Sequence, residues 1–147
     1  MLDVSVKKFS EISSSELYAI LQLRSEVFVV EQDCVYQDID YKDQKALHVL
    51  GYKNKKIIAY TRIFKSGDYF NEASIGRVVV AQNQRKFGYG FVIMQHSIKA
   101  VKEYFNETII KISAQKYLKK FYESLNFEQV GEEYLEDNIP HIPMIKK

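Results

Sequence analysis

Alternation over "VSVKKFS", residues 4–10, predicts a first strand. Ser13, Ser14 or Ser15 then offers a helix cap with Glu16 in the turn behind it, and Leu17, Ile20, Leu21 and Phe28 form an apolar stripe. Residues 15–32 therefore read as one long helix. "DCVYQDIDYKDQKA" has no period and reads as an irregular loop with at most one helical turn. "LHVLGYK" and "KIIAYTRIFK" read as strands joined by "KNKK", and "SIGRVVVA" as a third after the turn "GDYFNEA". From Gly88 onward, Phe91, Met94, Ile98, Val101 and Phe105 fall at spacings of three, four, three and four, the mark of an amphipathic helix. "TIIKIS" is a strand, and "AQKYLKKFYESL" a helix with Leu118, Phe121, Tyr122 and Leu125 on one side. Two short strands finish the chain, and Pro140 and Pro143 predict an edge position for the second.

The order β-α-β-β-β-α-β-α-β-β, with no repeat or linker, predicts one α+β domain spanning residues 1–147, with a mostly antiparallel sheet. At 147 residues the chain is long enough for a core of its own. Its 21 basic and 19 acidic residues leave a net charge of +2, which argues against nucleic acid as a partner. Runs such as "VFVV" and "FVIM" are too short to span a bilayer, and "MLDVSVKKFS" does not read as a secretory signal, so the expected compartment is the cytoplasm, with no membrane partner. Cys34 is the only cysteine and the three histidines lack a ligand spacing, so no metal is expected.

The stretch "IGRVVVAQNQRKFGYGFVIMQ" carries the chemistry. A strand ending at a helix start leaves that helix's first N–H groups unpaired, and glycine lets an anion approach them without a Cβ in the way. "RKFGYG", Arg85 to Gly90, suits a pyrophosphate, with Arg85 and Lys86 as added cations; a plain tight turn is the alternative. Neither "GxxxxGK[ST]" nor "GxGxxG" is present.

The spacing "VxxxxRxxGxG", met by Val80, Arg85, Gly88 and Gly90, resembles the acetyl-CoA loop of the GNAT superfamily of N-acetyltransferases, with Gln82 where proline is usual. "QKYLKKFYESLNF" resembles the late GNAT helix-strand motif, with Gln115 for asparagine and Asn126 for glycine. "RSEVFVVEQDCVYQDIDYKD", His48 and "IPHIPM" resemble the ElaA-like branch of that superfamily.

The resemblance implies a GNAT-like sheet splayed in its middle between residues 75–81 and 108–113, flanked by helices, with acetyl-CoA as co-substrate in the gap. Val78 and Val80 would pair with its pantetheine arm, a backbone N–H near Val79 would polarise the thioester, and Val79, Arg85, Lys86, Phe87, Gly88, Tyr89, Gly90 and Gln115 would complete the donor site. Tyr122 would protonate the departing thiolate. The base is open among the acidic residues Glu31, Asp38, Asp40, Asp43 and Glu72, with Glu31 and His48 as catalytic candidates. Asp38, Asp40 and His141 are the candidates for the acceptor, a small-molecule or peptide amine. The lysines of "KYLKK" are candidates for the CoA 3′-phosphate, and "KNKK" reads as a solvated tip. Homodimer formation, where it occurs, would use "IPHIPMIKK". A CoA-binding sensor without turnover and an interaction protein whose glycines only make a turn remain the alternatives.

Overall fold

A computed structural model describes all residues, Met1–Lys147. Strands β1 (Asp3–Lys8), β2 (Leu47–Lys53), β3 (Lys56–Phe64), β4 (Ala73–Val80), β5 (Ile110–Gln115), β6 (Glu128–Gln129), β7 (Tyr134–Glu136) and β8 (Ile139–Lys146) form one mixed sheet. Its order is β1-β2-β3-β4-β5-β8-β6, with β7 also on β8. Helices α1 (Ser14–Arg24), α2 (Tyr89–Phe105) and α3 (Lys119–Glu123) cover its faces. None of them is long and apolar enough to cross a membrane.

Local chemistry explains most of these limits. Ser13 accepts from Glu16 N–H while the Glu16 carboxylate accepts from Ser13 N–H, a reciprocal cap that starts α1. The expected long helix does run on to Glu31, but Ser25–Glu31 is π-helical. The β2–β3 turn is Asn54-Lys55, both at positive φ, the geometry of a two-residue hairpin. Asn106 ends α2 and Asn126 follows α3 in the left-handed region, which asparagine tolerates.

The larger core lies on the α2 face, where Ile93, Met94 and Val101 pack on Ile63, Ile75 and Ile112. Ile98 packs at its margin, whereas Phe91 leaves the expected stripe and faces a cleft. The smaller core, under α1, joins Ile20, Leu23 and Val27 to Leu50, Tyr60 and Val79.

The last strand departs from its expected edge position: β8 is inside the sheet, between β5 and the short β6 and β7. Its prolines are tolerated because their missing donors fall where pairing is already broken. Val130 N–H donates to Pro143 C=O at 3.0 Å just beyond β6. The chain can pass there because Gly131 has no Cβ; one would sit 2.8 Å from the Pro143 ring.

Strand β4 carries a bulge. Between the pairs Arg62↔Gly76 and Tyr60↔Val79, β3 advances two residues and β4 three. The extra residue inverts the side-chain alternation, so Ala73 and Ile75 before it, and Val78 and Val80 after it, all turn to the α2 core. Arg77 stands at the bulge with φ +49°, a conformation a long side chain rarely adopts without a tether. The tether is ionic: Arg77 pairs with Asp38 at 2.7 Å and approaches Asp40 at 3.4 Å. Arg24 binds Asp38 and Asp43, and Arg62 binds Asp40 and Asp43, at 2.7–3.0 Å. Arg24, Arg62, Asp38 and Asp43 are all buried. This alternating network ties α1, the loop through residues 38–43, β3 and the bulge to one another.

Breaking such a network strands a buried charge. Asp43→Ala is expected to destabilise the protein by about 3–5 kcal/mol in urea unfolding. Burial works against Asp43 ionisation, but Arg24 and Arg62 outweigh it and hold its pKa below the ordinary carboxylate range. With the folded pKa depressed, the stabilisation is complete above the unfolded value near 4 and is lost as pH falls through the folded one. Wild-type stability should therefore fall on acidification below about pH 4, and the Asp43→Ala protein should lose less over the same window.

Candidate active site

Strands β4 and β5 are parallel and pair only at Ala73↔Ile110 and Ser74↔Lys111. Beyond that point they separate, and a cleft of about 750 Å³ opens between them. Ala81 N–H donates to Ile58 C=O of β3 at 2.8 Å. Strand alternation then turns the peptide groups of Val78 and Val80 away from β3, toward the gap, as a sheet edge with no strand partner there. Val79 also lines the cleft, while its side chain packs under α1.

At the end of that edge, α2 begins. Its first ladder bond runs from Val92 N–H to Gly88 C=O at 3.3 Å, so the N–H groups of Tyr89, Gly90 and Phe91 have no partner within the helix. Gly88 is at φ +74°, and a Cβ built there would meet nothing within 4 Å. The turn is thus both left-handed and open in front, and it suits the approach of a phosphate to backbone donors.

The side chains of the turn diverge from the sequence expectation. Arg85 forms a two-pronged ion pair with Glu31 at 2.5 and 2.7 Å and donates from Nε to Val80 C=O at 3.1 Å. The guanidinium hydrogen bonds to Glu31 hold its carboxyl below its ordinary pKa, so Glu31 lines the cleft as a fixed counter-ion rather than a free base. Tyr89 is buried in the main core, and Phe87 is outside the cleft wall. Lys53 of β2 lies over the Phe87 ring at 4.0 Å and Lys86 over the same ring at 5.4 Å. Lys53 belongs to the hairpin segment that reads as a solvated tip, and only the pairing of β2 with β3 carries it to this loop.

Tyr122 of α3 lines the cleft from the β5 side. It is buried, no protein group hydrogen-bonds its hydroxyl, and burial raises its pKa well above the usual phenol value. Gln115 also lines the cleft, with its amide 3.3 Å from Gln32. Lys116 of "KYLKK" is paired with Glu133 at 2.5 Å.

On the α1 face the cleft continues between two walls. One is aromatic: Tyr69 stacks on Phe64 and meets Phe70 edge-on. The other comes from the β7–β8 hairpin, with Glu136, Asp137 and His141. Cys34 and Tyr36 border the space, and Cys34 Sγ donates to Asp137 C=O at 3.2 Å. Nothing in the sequence singles out Glu136, Asp137, Tyr69 or Phe70, because a turn and a hairpin distant along the chain bring them together.

Five residues expected at the acceptor side lie elsewhere. His48 lies in the interior, with Nδ1 2.6 Å from Tyr60 Oη and Nε2 2.8 Å from Asp43 C=O; burial lowers its pKa and keeps it neutral. It does not reach the cleft. Asp38 and Asp40 are likewise outside the cleft wall, as is Asp43, because their carboxylates are held by arginines. Glu72 does not line the cleft either. Acidic residues clustered in sequence read as a solvated or substrate-facing set, but three buried arginines from separate elements claim them.

The chain matches the acetyltransferase (GNAT) domain family over residues 9–147. It is 44% identical to protein ElaA of Escherichia coli over 140 residues, 94% of this chain and 92% of that one. The crystal structure of E. coli ElaA superposes with a TM-score of 0.93 at 41% identity, covering both chains completely. That of an acyl-CoA N-acyltransferase from Pseudomonas aeruginosa gives 0.94 at 37% identity, again with complete coverage.

The left-handed turn can be checked without a ligand. Gly88→Ala is expected to lower stability by about 1–2 kcal/mol through backbone strain alone. Gly88→Asn should lie closer to wild type in the same thermal melts, since asparagine tolerates that conformation.

Proposed function

The chain belongs to the GNAT acetyltransferase family, whose members transfer acyl groups from acyl-CoA, and from that premise we propose that it moves an acetyl group from acetyl-CoA directly to a primary amine. The observation that carries this reading is the free β4 edge ending at the bare start of α2, with Tyr122 facing it across the gap.

In this reading the donor is held almost wholly by main chain. The peptide groups of Val78 and Val80 take the amides of the pantetheine arm, which adds a partial strand where β5 has left. The N–H groups at the start of α2 take the pyrophosphate, helped by the helix dipole. Arg85 can turn from Glu31 to the phosphates, exchanging one anion for another. Val79 N–H is turned to β3, so polarisation of the thioester carbonyl falls to the gap-facing N–H groups beside it.

The amine, neutral when it attacks, forms the C–N bond as the C–S bond breaks. Tyr122 gives the departing sulfur its proton. Burial of its phenol serves that role, because the raised pKa keeps the donor protonated at every physiological pH. The acceptor enters over the aromatic wall and the β7–β8 hairpin, on the face opposite the donor's path.

Calorimetric titration with acetyl-CoA tests the donor site. Wild type should bind, as should Gly88→Asn, whereas Gly90→Glu should lose affinity by a factor on the order of ten or more, equivalent to about 1.4 kcal/mol or more. A Cβ at Gly90 lands 3.6 Å from Phe121, an ordinary contact, so the loss would report charge against phosphate rather than misfolding. Unchanged affinity in Gly90→Glu would place the donor elsewhere.

For the acid, Tyr122→Phe should bind acetyl-CoA as wild type does but turn over on the order of 100-fold more slowly. Full turnover across the pH range would remove Tyr122 from the role.

A further inference from the structure

The β7–β8 hairpin places two hydrogen-bond acceptors face to face in the acceptor half of the cleft. His141 is 6% exposed and reaches the cleft wall from β8. Its Nδ1 is 2.7 Å from Ile139 C=O. A carbonyl only accepts, so Nδ1 carries a hydrogen, and in the neutral ring Nε2 is left with a lone pair. Facing Nε2 at 3.5 Å is Oε2 of Glu136, too far for a shared proton. Both groups are held. Ser113 Oγ donates to Glu136 Oε1 at 3.0 Å, Tyr134 Oη bonds the same Ser113 oxygen, and the Tyr134 ring stacks on His141. The arginines on the cleft wall are already committed, Arg62 to Asp40, Arg77 to Asp38 and Arg85 to Glu31.

We propose that Glu136 and His141 form the docking and deprotonation site for the acceptor's ammonium group. A primary ammonium offers N–H donors to both atoms at once and supplies the positive charge the pair lacks. The acceptor class follows from the same charges: an amine with no carboxylate beside its nitrogen, since Glu136 and Asp137 would repel one. The proposal rests on the acetyl-transfer reading.

The proton balance is complete. His141 Nε2 takes one proton from the ammonium, and the imidazolium formed is stabilised by Glu136. The neutral nitrogen attacks the thioester carbon, the C–S bond breaks, and Tyr122 protonates the sulfur. The new amide nitrogen loses its extra proton to the Tyr122 phenolate through water, and His141 releases its own to solvent. One proton leaves per turnover. The titratable groups facing His141 are Glu136 and Tyr134 from β7; Ser113 and Gln115 of β5 are uncharged, and Asp137 and Tyr36 share the cleft wall.

Nitrogen-resolved NMR on protein labelled at its three histidines tests the pair directly. The expected result at pH 7 is His141 in the Nδ1–H form, with its Nε2 signal moving when 2-phenylethylamine is added in the presence of CoA, and no such movement in Glu136→Gln. His141 found in the Nε2–H form, or as a stable imidazolium at pH 7, overturns the proposal. A kinetic arm uses two nucleophiles with acetyl-CoA: 2-phenylethylamine, an ammonium at neutral pH, and hydroxylamine, which is already neutral. His141→Gln should lower kcat/KM on the order of 100-fold for the first and remove its acidic limb, with a much smaller loss for the second. Equal losses would mean that His141 only shapes the wall. Where neither nucleophile turns over, the NMR result decides. Failure of wild type to bind acetyl-CoA would instead count against the transfer reading, whatever the tautomer of His141.

Discussion

An unpaired length of strand in the middle of a sheet is the constraint on which this structure depends. Peptide groups that lose both water and a partner cost on the order of 1–3 kcal/mol each, so an interior edge left open must face solvent or a ligand. Here β4 pairs with β5 over two residues and then leaves it. The bulge at Arg77 is what makes that departure compatible with a continuous core. It restores Val78 and Val80 to the α2 side after one extra residue, while Val79 stays under α1. The helix turn after β4 and the aromatic and acidic walls are arranged around the opening that results.

The bulge is held by charge rather than by apolar packing. Arg24, Arg62 and Arg77 alternate with Asp38, Asp40 and Asp43, so no charge in the group lacks an opposite neighbour. A network of this kind adds little net stability compared with a hydrophobic substitute, yet it is unforgiving of geometry, because any residue out of place strands a buried charge. It fixes the position of the loop through residues 38–43, and with it the wall that Cys34 and Tyr36 contribute to the cleft. His48 adds a neutral strut between Tyr60 and the main chain of Asp43.

On the proposed reading, donor and acceptor sites draw on different kinds of chemistry. The donor site is main chain: a sheet edge and a helix start, made available by two glycines. The acceptor site is side chain, gathered from the turn before β4, the loop after α1 and the β7–β8 hairpin. Backbone geometry survives substitution and walls of side chains do not, so such a division would let one donor site serve different acceptors.

The sequence by itself determined the order of elements as far as α3, the strand-to-helix glycine turn and the family motifs around Arg85, Gly88, Gly90 and Tyr122, but it read two closing strands where the structure has three. Each of these is written in local signals: alternation, a stripe of period near 3.6, caps and residues tolerant of positive φ. Tertiary structure alone decided the rest. It moved β8 to the interior despite its prolines, because Gly131 lets the chain pass where pairing was already broken. It drew Asp38, Asp40 and Asp43 from the expected acceptor side into an ionic network, and it sealed His48 in the interior. It also set the hairpin of Glu136 and His141, the proposed acceptor pair, on the same cleft wall as Tyr69 and Phe70, far away along the chain. Charged residues find their partners through space, so their roles are settled by packing between distant segments rather than by spacing along the chain.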